Sequence, residues 1–130
     1  MAKKAEQTKV KWLDEPEEKD YAAARSYLSL LVPANALDEM VERLRSAPEG
    51  SWRAKDVLRA AQLPLLSDRK SGEVAEKVGH IRAGVALSPI LLVCLRDDVV
   101  LQIADGYHRT CAAYLTHEDT LVPGRLLFAS

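Results

Sequence analysis

The sequence predicts an α+β fold, in which a helical N-terminal half packs on a small mixed sheet formed by the C-terminal third. Apolar residues recur at helical spacing through most of residues 17–82. Three short apolar runs then follow, at residues 90–95, 99–103 and 121–128. The 130 residues, 48% of them hydrophobic, suffice for one domain with a core of its own. We therefore expect a single domain over the whole chain.

The N-terminal end is expected to be a polar, mobile tail over residues 1–13, with a short strand at residues 10–13. A helix should begin behind it, because Pro16 suits a first helical turn and the acids around it complement the helix dipole. We expect this helix to run to about residue 31, before Pro33 stops it. Its predicted buried face consists of Tyr21, Ala24, Leu28 and Leu31.

Two more helices are predicted before the middle of the chain. Residues 34–46 carry apolar side chains at i, i+3, i+4 and i+7, namely Leu37, Met40, Val41 and Leu44. Residues 48–51 are Pro-Glu-Gly-Ser, which predicts a turn. A shorter helix should then span residues 54–61. The apolar connection at residues 62–66 is expected to plug the core.

The next predicted helix spans residues 72–82, capped by Ser71 and ended by Gly84. The run at residues 90–95 is apolar at every position, which favours a strand buried on both faces of a sheet. The polar residues 96–98 suggest a tight turn into the next strand, so these two strands should form a hairpin. The last strand is expected at residues 121–128.

One stretch carries the candidate chemistry. An apolar run ends at Ala104, Asp105 and Gly106 break the pattern, and small residues typical of a packed helix follow, which predicts a strand, a tight turn and a helix to about residue 115. The first N–H groups of a helix have no partner inside it, and with the helix dipole they suit an anion. Gly106 allows a ligand close to the backbone, and Arg109 offers a planar fork matched to phosphate oxygens.

Other interpretations of these residues stay open. Asp105 is expected to cap the helix, or else to hold Mg²⁺ beside a phosphate. Tyr107 could stack on a base, or pack in the core. A purely structural corner would tie Arg109 to a carboxylate such as Glu118 or Asp119, whereas a ligand site should leave it free beside a cleft. The thiol of Cys111 is expected to face the core.

A family resemblance adds to this interpretation. Residues 87–127 resemble the ParB/sulfiredoxin superfamily, in the Leu-Ser-Pro-Ile-Leu-Leu-Val run at 87–93, the Asp-Gly-Tyr-His-Arg box at 105–109, and Val122-Pro123. In members of known activity, such as CTP-hydrolysing ParB proteins, ATP-using sulfiredoxin and a free-serine kinase, this type of box cradles nucleotide phosphates. The resemblance therefore implies a nucleotide or phosphate site at six residues: Asp105, Gly106, Tyr107, His108, Arg109 and Thr110. A nucleotide would come with Mg²⁺ if Asp105 holds a metal instead of capping the helix.

The specific activities of those relatives do not transfer with the box. Sulfiredoxin has Cys at the position of Tyr107, so its nucleophile is missing here. The kinase comparison needs a catalytic acid, and the sequence singles out none among Glu15, Glu17, Glu18 and Asp20. The segments at residues 20–30 and 54–66 resemble a small group of stand-alone proteins with this domain, for which the resemblance supplies a fold and a site but no activity.

The charge and the composition of the chain limit the classes of molecule that it is expected to bind. The net charge is −1, no basic stripe is present, and no helix-turn-helix follows the last strand, so we expect no direct DNA binding. No apolar run approaches the roughly 20 residues that span a bilayer, and no signal peptide is evident, which favours the cytoplasm. No Cys/His spacing suggests a metal site. A homodimer is a further expectation.

Two functions remain open at this stage. The first is a nucleotide-dependent phosphotransferase or hydrolase built on the 105–110 turn. The second is a non-catalytic module that senses a ligand or binds a protein partner. The sequence does not decide whether the chain is an enzyme, nor which nucleotide would bind.

Overall fold

The α+β class is confirmed by the structure, a computed structural model that describes residues 9–96 and 98–129. The described residues form five helices and one four-stranded mixed sheet. In chain order the elements are α1 Glu18–Leu28, α2 Ala34–Arg45, β1 Glu49–Arg53, α3 Ala54–Ala61, α4 Gly72–Arg82, β2 Ile90–Cys94, β3 Gln102–Asp105, α5 Tyr107–Thr116 and β4 Leu121–Phe128.

The sheet has the strand order β1-β4-β2-β3. Strands β2 and β4 pair in parallel, while β1 with β4 and β2 with β3 pair antiparallel. The first four residues of β2 are buried, as its continuous apolar run predicts for a strand covered on both faces. The antiparallel pairing of β2 with β3 also agrees with the predicted hairpin, although Asp97 of its turn lies outside the described residues.

The third strand is displaced from its predicted position at residues 99–103. Val99 is 94% exposed, and β3 begins only at Gln102. The backbone before it is engaged elsewhere, because the Val100 N–H donates to Asp98 and the Leu101 N–H donates to the Ala60 carbonyl of α3. These contacts hold residues 100 and 101 away from the ladder, which the apolar pattern alone did not reveal.

The predicted turn at residues 48–51 is wrong, because β1 forms there. This edge strand pairs antiparallel with β4, with Gly50 opposite Gly124. A Cβ on Gly124 would lie 2.4 Å from the carbonyl oxygen of Ile90, so β4 and β2 can pair only if residue 124 is glycine. The pairing with a distant strand therefore overrides the local preference of Pro-Glu-Gly-Ser for a turn.

Helices α3 and α4 have the predicted bounds, and the Ser71 hydroxyl accepts the Val74 N–H at 3.2 Å as the expected cap. Helix α1 is shorter than predicted. It ends at Leu28, whose carbonyl accepts from both Leu31 and Val32 in a closing turn, and Leu31 is exposed. This tight turn before Pro33 ends the helical spacing of the side chains. Leu31 therefore no longer lies on the buried face of the helix.

The sheet lies between two layers of helices. One face packs on α1 and α2, in a cluster that includes Ala24, Leu28, Leu37, Val41, Leu44, Leu91, Val93 and Leu127. The other face packs on α3 and α5, in a cluster that includes Val57, Ala61, Ile90, Leu92, Ile103, Ala113 and Val122. Helix α4 packs on α5 from outside. The layers bring the start of α5 next to the start of α4.

Two connecting segments also differ from expectation. Residues 9–13 belong to the expected mobile tail, but they pack on the domain: Val10 is buried, and Trp12 forms a single parallel bridge with Leu87, within the short strand expected at residues 10–13. Residues 1–8 of that tail lie outside the described part of the chain. The connection at residues 62–66 packs into the core only through Leu66, because the side chains of Leu63 and Leu65 are exposed.

Candidate functional site

The predicted strand–turn–helix is present at the end of β3. Strand β3 ends at Asp105, Gly106 is the residue before the helix, and α5 begins at Tyr107. Gly106 has a φ of +118°, which side-chain-bearing residues rarely adopt, and a Cβ there would lie 2.3 Å from Cγ2 of Ile90. Glycine is thus required by the turn itself, before any ligand is considered.

Arg109 is the most constrained residue of this turn. It is 9% exposed, and its Nη2 donates to Oδ2 of Asp105 at 3.0 Å and to the Pro89 carbonyl at 3.2 Å. Its Nη1 lies 3.7 Å from Oδ1 of Asp20, which is an ion-pair contact but too long for a hydrogen bond. Its Nε is buried and has no partner among the described residues. The guanidinium therefore keeps unused hydrogen-bonding capacity.

The carboxylates that hold Arg109 are not the ones that we expected. Glu118 and Asp119 lie elsewhere, in contact with Lys55 at 4.0 and 3.0 Å. Asp20 and Asp105 take that place. Since Asp20 is far from Arg109 in sequence, only the packing of α1 against β3 brings the two together.

Asp20 is the site residue that the sequence prediction missed. It is 3% exposed, and its Oδ2 also accepts the Glu17 N–H at 2.8 Å, at the start of α1. A signal for it was present, because residue 20 precedes the buried Ala24 and Leu28 at intervals of four and therefore lies on the buried helix face. An acid on that face needs a cationic partner, which Arg109 supplies.

Asp105 does not cap the helix, contrary to expectation. Gly106 occupies the cap position and makes no side-chain cap hydrogen bond, while the Asp105 carboxylate faces Arg109. Burial raises the pKa of Asp105; the neighbouring Arg109 opposes this rise, and the charge of Asp20 adds to it. Two carboxylates thus share one guanidinium in a largely buried setting.

Two of the six candidate residues are engaged away from a ligand. Thr110 is fully buried, and its hydroxyl donates to the Gly106 carbonyl at 2.9 Å. The Tyr107 hydroxyl donates to the Pro64 carbonyl at 2.6 Å, and its ring packs against buried apolar residues. The ring of Tyr107 thus follows the core alternative. Thr110 was misjudged because its position in the first turn of α5 faces inward, which the local sequence did not reveal.

Five of the six candidates, all but Thr110, line a cavity of about 190 Å³. It is lined by residues of α4 and of the turn: Glu73, Glu76, Lys77, Asp105, Gly106, Tyr107, His108 and Arg109. The backbone ladder of α5 starts with the Thr110 N–H bonding to the Gly106 carbonyl, so the N–H groups of residues 107–109 precede it. The cavity combines these N–H groups with cationic and acidic side chains.

His108 lies at the mouth of this cavity. Its Nε2 is 3.1 Å from Oε1 of Glu73, in the first turn of α4, and both side chains line the cavity. The histidine side chain is 33% exposed and that of Glu73 is 73% exposed. The pair joins the first turns of two helices across the opening.

Metal ligation by the protein alone is not supported at this site. The described part of the chain has no group of three or more His, Cys, Asp or Glu side chains placed to hold a metal ion. Oδ2 of Asp105 accepts from Arg109, so Asp105 could ligate Mg²⁺ through its other oxygen. Because Mg²⁺ commonly binds through one or two carboxylates and substrate phosphates, it would fit here only together with a phosphate ligand.

Both cysteines are free thiols, and neither lines the cavity. Cys111 is buried, as expected for a core-facing residue, and burial raises the pKa of its thiol. Cys94 is partly exposed, and burial likewise raises its pKa. Raised pKa values mean few thiolates at neutral pH, so neither cysteine is poised as a nucleophile.

Comparisons of the chain with protein-family models, curated proteins and solved structures found no match. No helix among the residues that the structure describes is long and apolar enough to cross a membrane. The functional interpretation therefore depends on the geometry of the cavity at the start of α5.

Proposed function

We propose that this chain is a ParB/sulfiredoxin-like domain that binds the phosphate group of a nucleotide or another phosphorylated ligand at the Asp105–Arg109 turn. One observation carries the proposal. The start of α5, whose first N–H groups have no acceptor inside the helix, lines a cavity together with Arg109, which is 9% exposed and whose Nε has no partner in the described chain. His108 and Lys77 line the same cavity and add donors.

The hydrogen bonds and the helix N-terminus at this cavity should make the binding of a small anion favourable. Hydrogen bonds to a charged group contribute about 1.5–3 kcal/mol each, and a helix N-terminus adds about 0.3–1 kcal/mol at an exposed site. Three carboxylates, of Glu73, Glu76 and Asp105, oppose that gain. A phosphate that arrives with Mg²⁺ would reduce this repulsion, so we expect the cation to strengthen binding.

If the bound phosphate reacts, in a phosphotransferase or hydrolase, we assign proton transfer to Asp105. It lines the cavity, and burial raises its pKa, as is common for carboxyl groups that exchange a proton in catalysis. Arg109 and Asp20 would then be positioning residues, since they fix the orientation of this carboxyl. The two free thiols suit a reducing compartment, and we propose the cytoplasm as the location.

A second candidate function is a non-catalytic module that binds a protein partner or senses a ligand. It is favoured by the ties on Arg109, whose guanidinium is held by two carboxylates and a carbonyl as in a structural corner. In that case the turn stabilises the fold, and the cavity beside it binds no phosphate.

A thermal-shift titration separates these functions. The ligands are ATP, ADP, CTP, GTP and inorganic phosphate, with and without Mg²⁺. A ligand that binds only the folded state stabilises it by RT ln(1 + [L]/Kd), about 2.7 kcal/mol at a hundredfold excess over Kd. We expect at least one phosphate ligand to raise the melting temperature of the wild type.

The variants locate the effect within the molecule. His108→Ala should reduce the shift, because it removes a donor at the cavity mouth. His80→Ala is the matched control: His80 is a partly buried helical histidine that does not line the cavity, and its loss should leave the shift unchanged. Absence of any shift for all five ligands would exclude the phosphate site at ordinary affinities and favour the non-catalytic module.

A further inference from the structure

The carboxylate of Glu73 lies where an anionic ligand would approach His108. Its Oε1 is 3.1 Å from Nε2 of His108, and both residues line the cavity at the start of α5. A carboxylate oxygen and a phosphate oxygen accept the same hydrogen bond from an imidazole N–H. The ring nitrogen that a phosphate would use is thus already in contact with a carboxylate of the same chain.

The position of Glu73 explains why it stays there without a ligand. It belongs to the first turn of α4, where a negative charge is stabilised by the helix dipole. The same first turn packs beside the start of α5, since α4 and α5 are in contact along their lengths. One carboxylate therefore compensates the positive ends of two neighbouring helices.

We infer that Glu73 is an internal competitor for the phosphate site, which swings away from His108 when a phosphate binds. The inference rests on the proposed function, and it deepens that function by naming how the site is regulated. The side chain of Glu73 is 73% exposed, so it can turn into solvent without disturbing the packing. Arg109, which lines the same cavity, keeps its contacts with Asp105 and the Pro89 carbonyl when Glu73 moves.

Glu76 supplies a comparison on the same helix. It lines the same cavity and carries the same charge, but its Oε1 contacts the other donor, Lys77, at 3.5 Å, a longer contact than that of Glu73 with His108. A general loss of negative charge would make Glu73→Gln and Glu76→Gln equivalent. Competition for His108 predicts that removal of Glu73 has the larger effect.

The test is a titration with inorganic phosphate, followed by the ring-proton NMR signals of His108, on the wild type, Glu73→Ala, Glu73→Gln and Glu76→Gln. We expect Glu73→Ala to bind phosphate about three- to fivefold more tightly, as for release of a partly exposed ion pair, and Glu73→Gln to lie between it and the wild type. Glu76→Gln should gain less than about twofold.

The possible results distinguish the two proposals. Equal gains for Glu73→Gln and Glu76→Gln, or no gain for Glu73→Ala, would overturn the role of Glu73 and leave phosphate binding intact. No binding of phosphate to any of the four proteins would remove the proposed function and the inference together. Binding to Glu73→Ala but not to the wild type would support both.

Discussion

The corner around Arg109 and the corner around Arg125 look alike but differ in the partners of the arginine. Each arginine is largely buried, has an unpartnered Nε, donates to one backbone carbonyl and contacts a carboxylate. Each lines a cavity of similar volume, about 190 Å³ at Arg109 and 220 Å³ at Arg125. Asp20 and Asp105 at the first corner are buried or nearly so, whereas Glu49 at the second is 65% exposed.

The comparison shows that the contribution of each arginine to stability depends more on the exposure of its carboxylate partner than on the exposure of the arginine itself. Water solvates Glu49 when its partner leaves, so the Arg125 ion pair contributes little. Water cannot do the same for Asp20 and Asp105, so Arg109 stabilises two charges that would otherwise be costly to bury. The first corner is built around a charge cluster, and the second is an ordinary edge contact of the sheet.

The largest expected effect is that of Arg109→Ala compared with Arg125→Ala. Loss of Arg109 leaves two largely buried carboxylates without a cationic partner and should lower the free energy of unfolding by about 3–5 kcal/mol. Loss of Arg125 should cost about 1–2 kcal/mol, chiefly the hydrogen bond to the Ala47 carbonyl. Urea unfolding followed by circular dichroism measures both. Equal costs would mean that the two corners are energetically alike.

A smaller difference is expected between the carboxylates themselves. Asp20→Ala removes the acceptor of the Glu17 N–H and one of the charges facing Arg109, and should cost about 1–3 kcal/mol. Glu49→Ala should change stability by less than about 1 kcal/mol, because its pair is exposed. The same urea unfolding experiment measures both variants. If Asp20→Ala left the free energy of unfolding unchanged, the contact between Asp20 and Arg109 would be no stronger than an exposed ion pair.

The pH dependence of stability should differ in a subtler way. Burial raises the pKa of Asp105 in the folded state, so the unfolded chain ionises this group first as pH rises. Its contribution to stability is full below the ordinary pKa near 3.8 and is lost as pH rises through the raised value. The stability of the wild type relative to Asp105→Asn should therefore fall with rising pH. A relative stability that rises instead would indicate that Arg109 outweighs burial.

The sequence predicted the elements whose information is local. Helix α4 could be placed because Ser71 caps it and its apolar residues recur at helical spacing, and β4 because the polar loop at residues 116–120 precedes it. Strand β1 could not be placed, since Gly50 and Ser51 favour a turn and only the pairing with β4 makes them a strand. Edge strands of this kind depend on a partner that is distant in the chain.

The same limit applied to the site. The turn at Asp105 and Gly106 was found because a strand, a glycine and a helix follow one another directly. The partner Asp20 was not found, because its role depends on α1 packing against β3, and Thr110 was misassigned because the rotation of α5 decides which side chains face the core. The local sequence predicted where the backbone of the site lies, whereas tertiary packing determines which side chains surround it.

The neighbouring residues Pro89 and Ile90 belong to both corners. The Pro89 carbonyl accepts from Arg109, while the proline itself lines the Arg125 cavity. Ile90 fills the space that a Cβ would need at Gly106 on one side and at Gly124 on the other. Pro89 and Ile90 thus pack against both corners. A ligand that moves the backbone at one corner would therefore displace residues that line the cavity at the other. Ile90→Ala, which removes both Cγ1 and Cγ2, would loosen the contacts at Gly106 and at Gly124 at once.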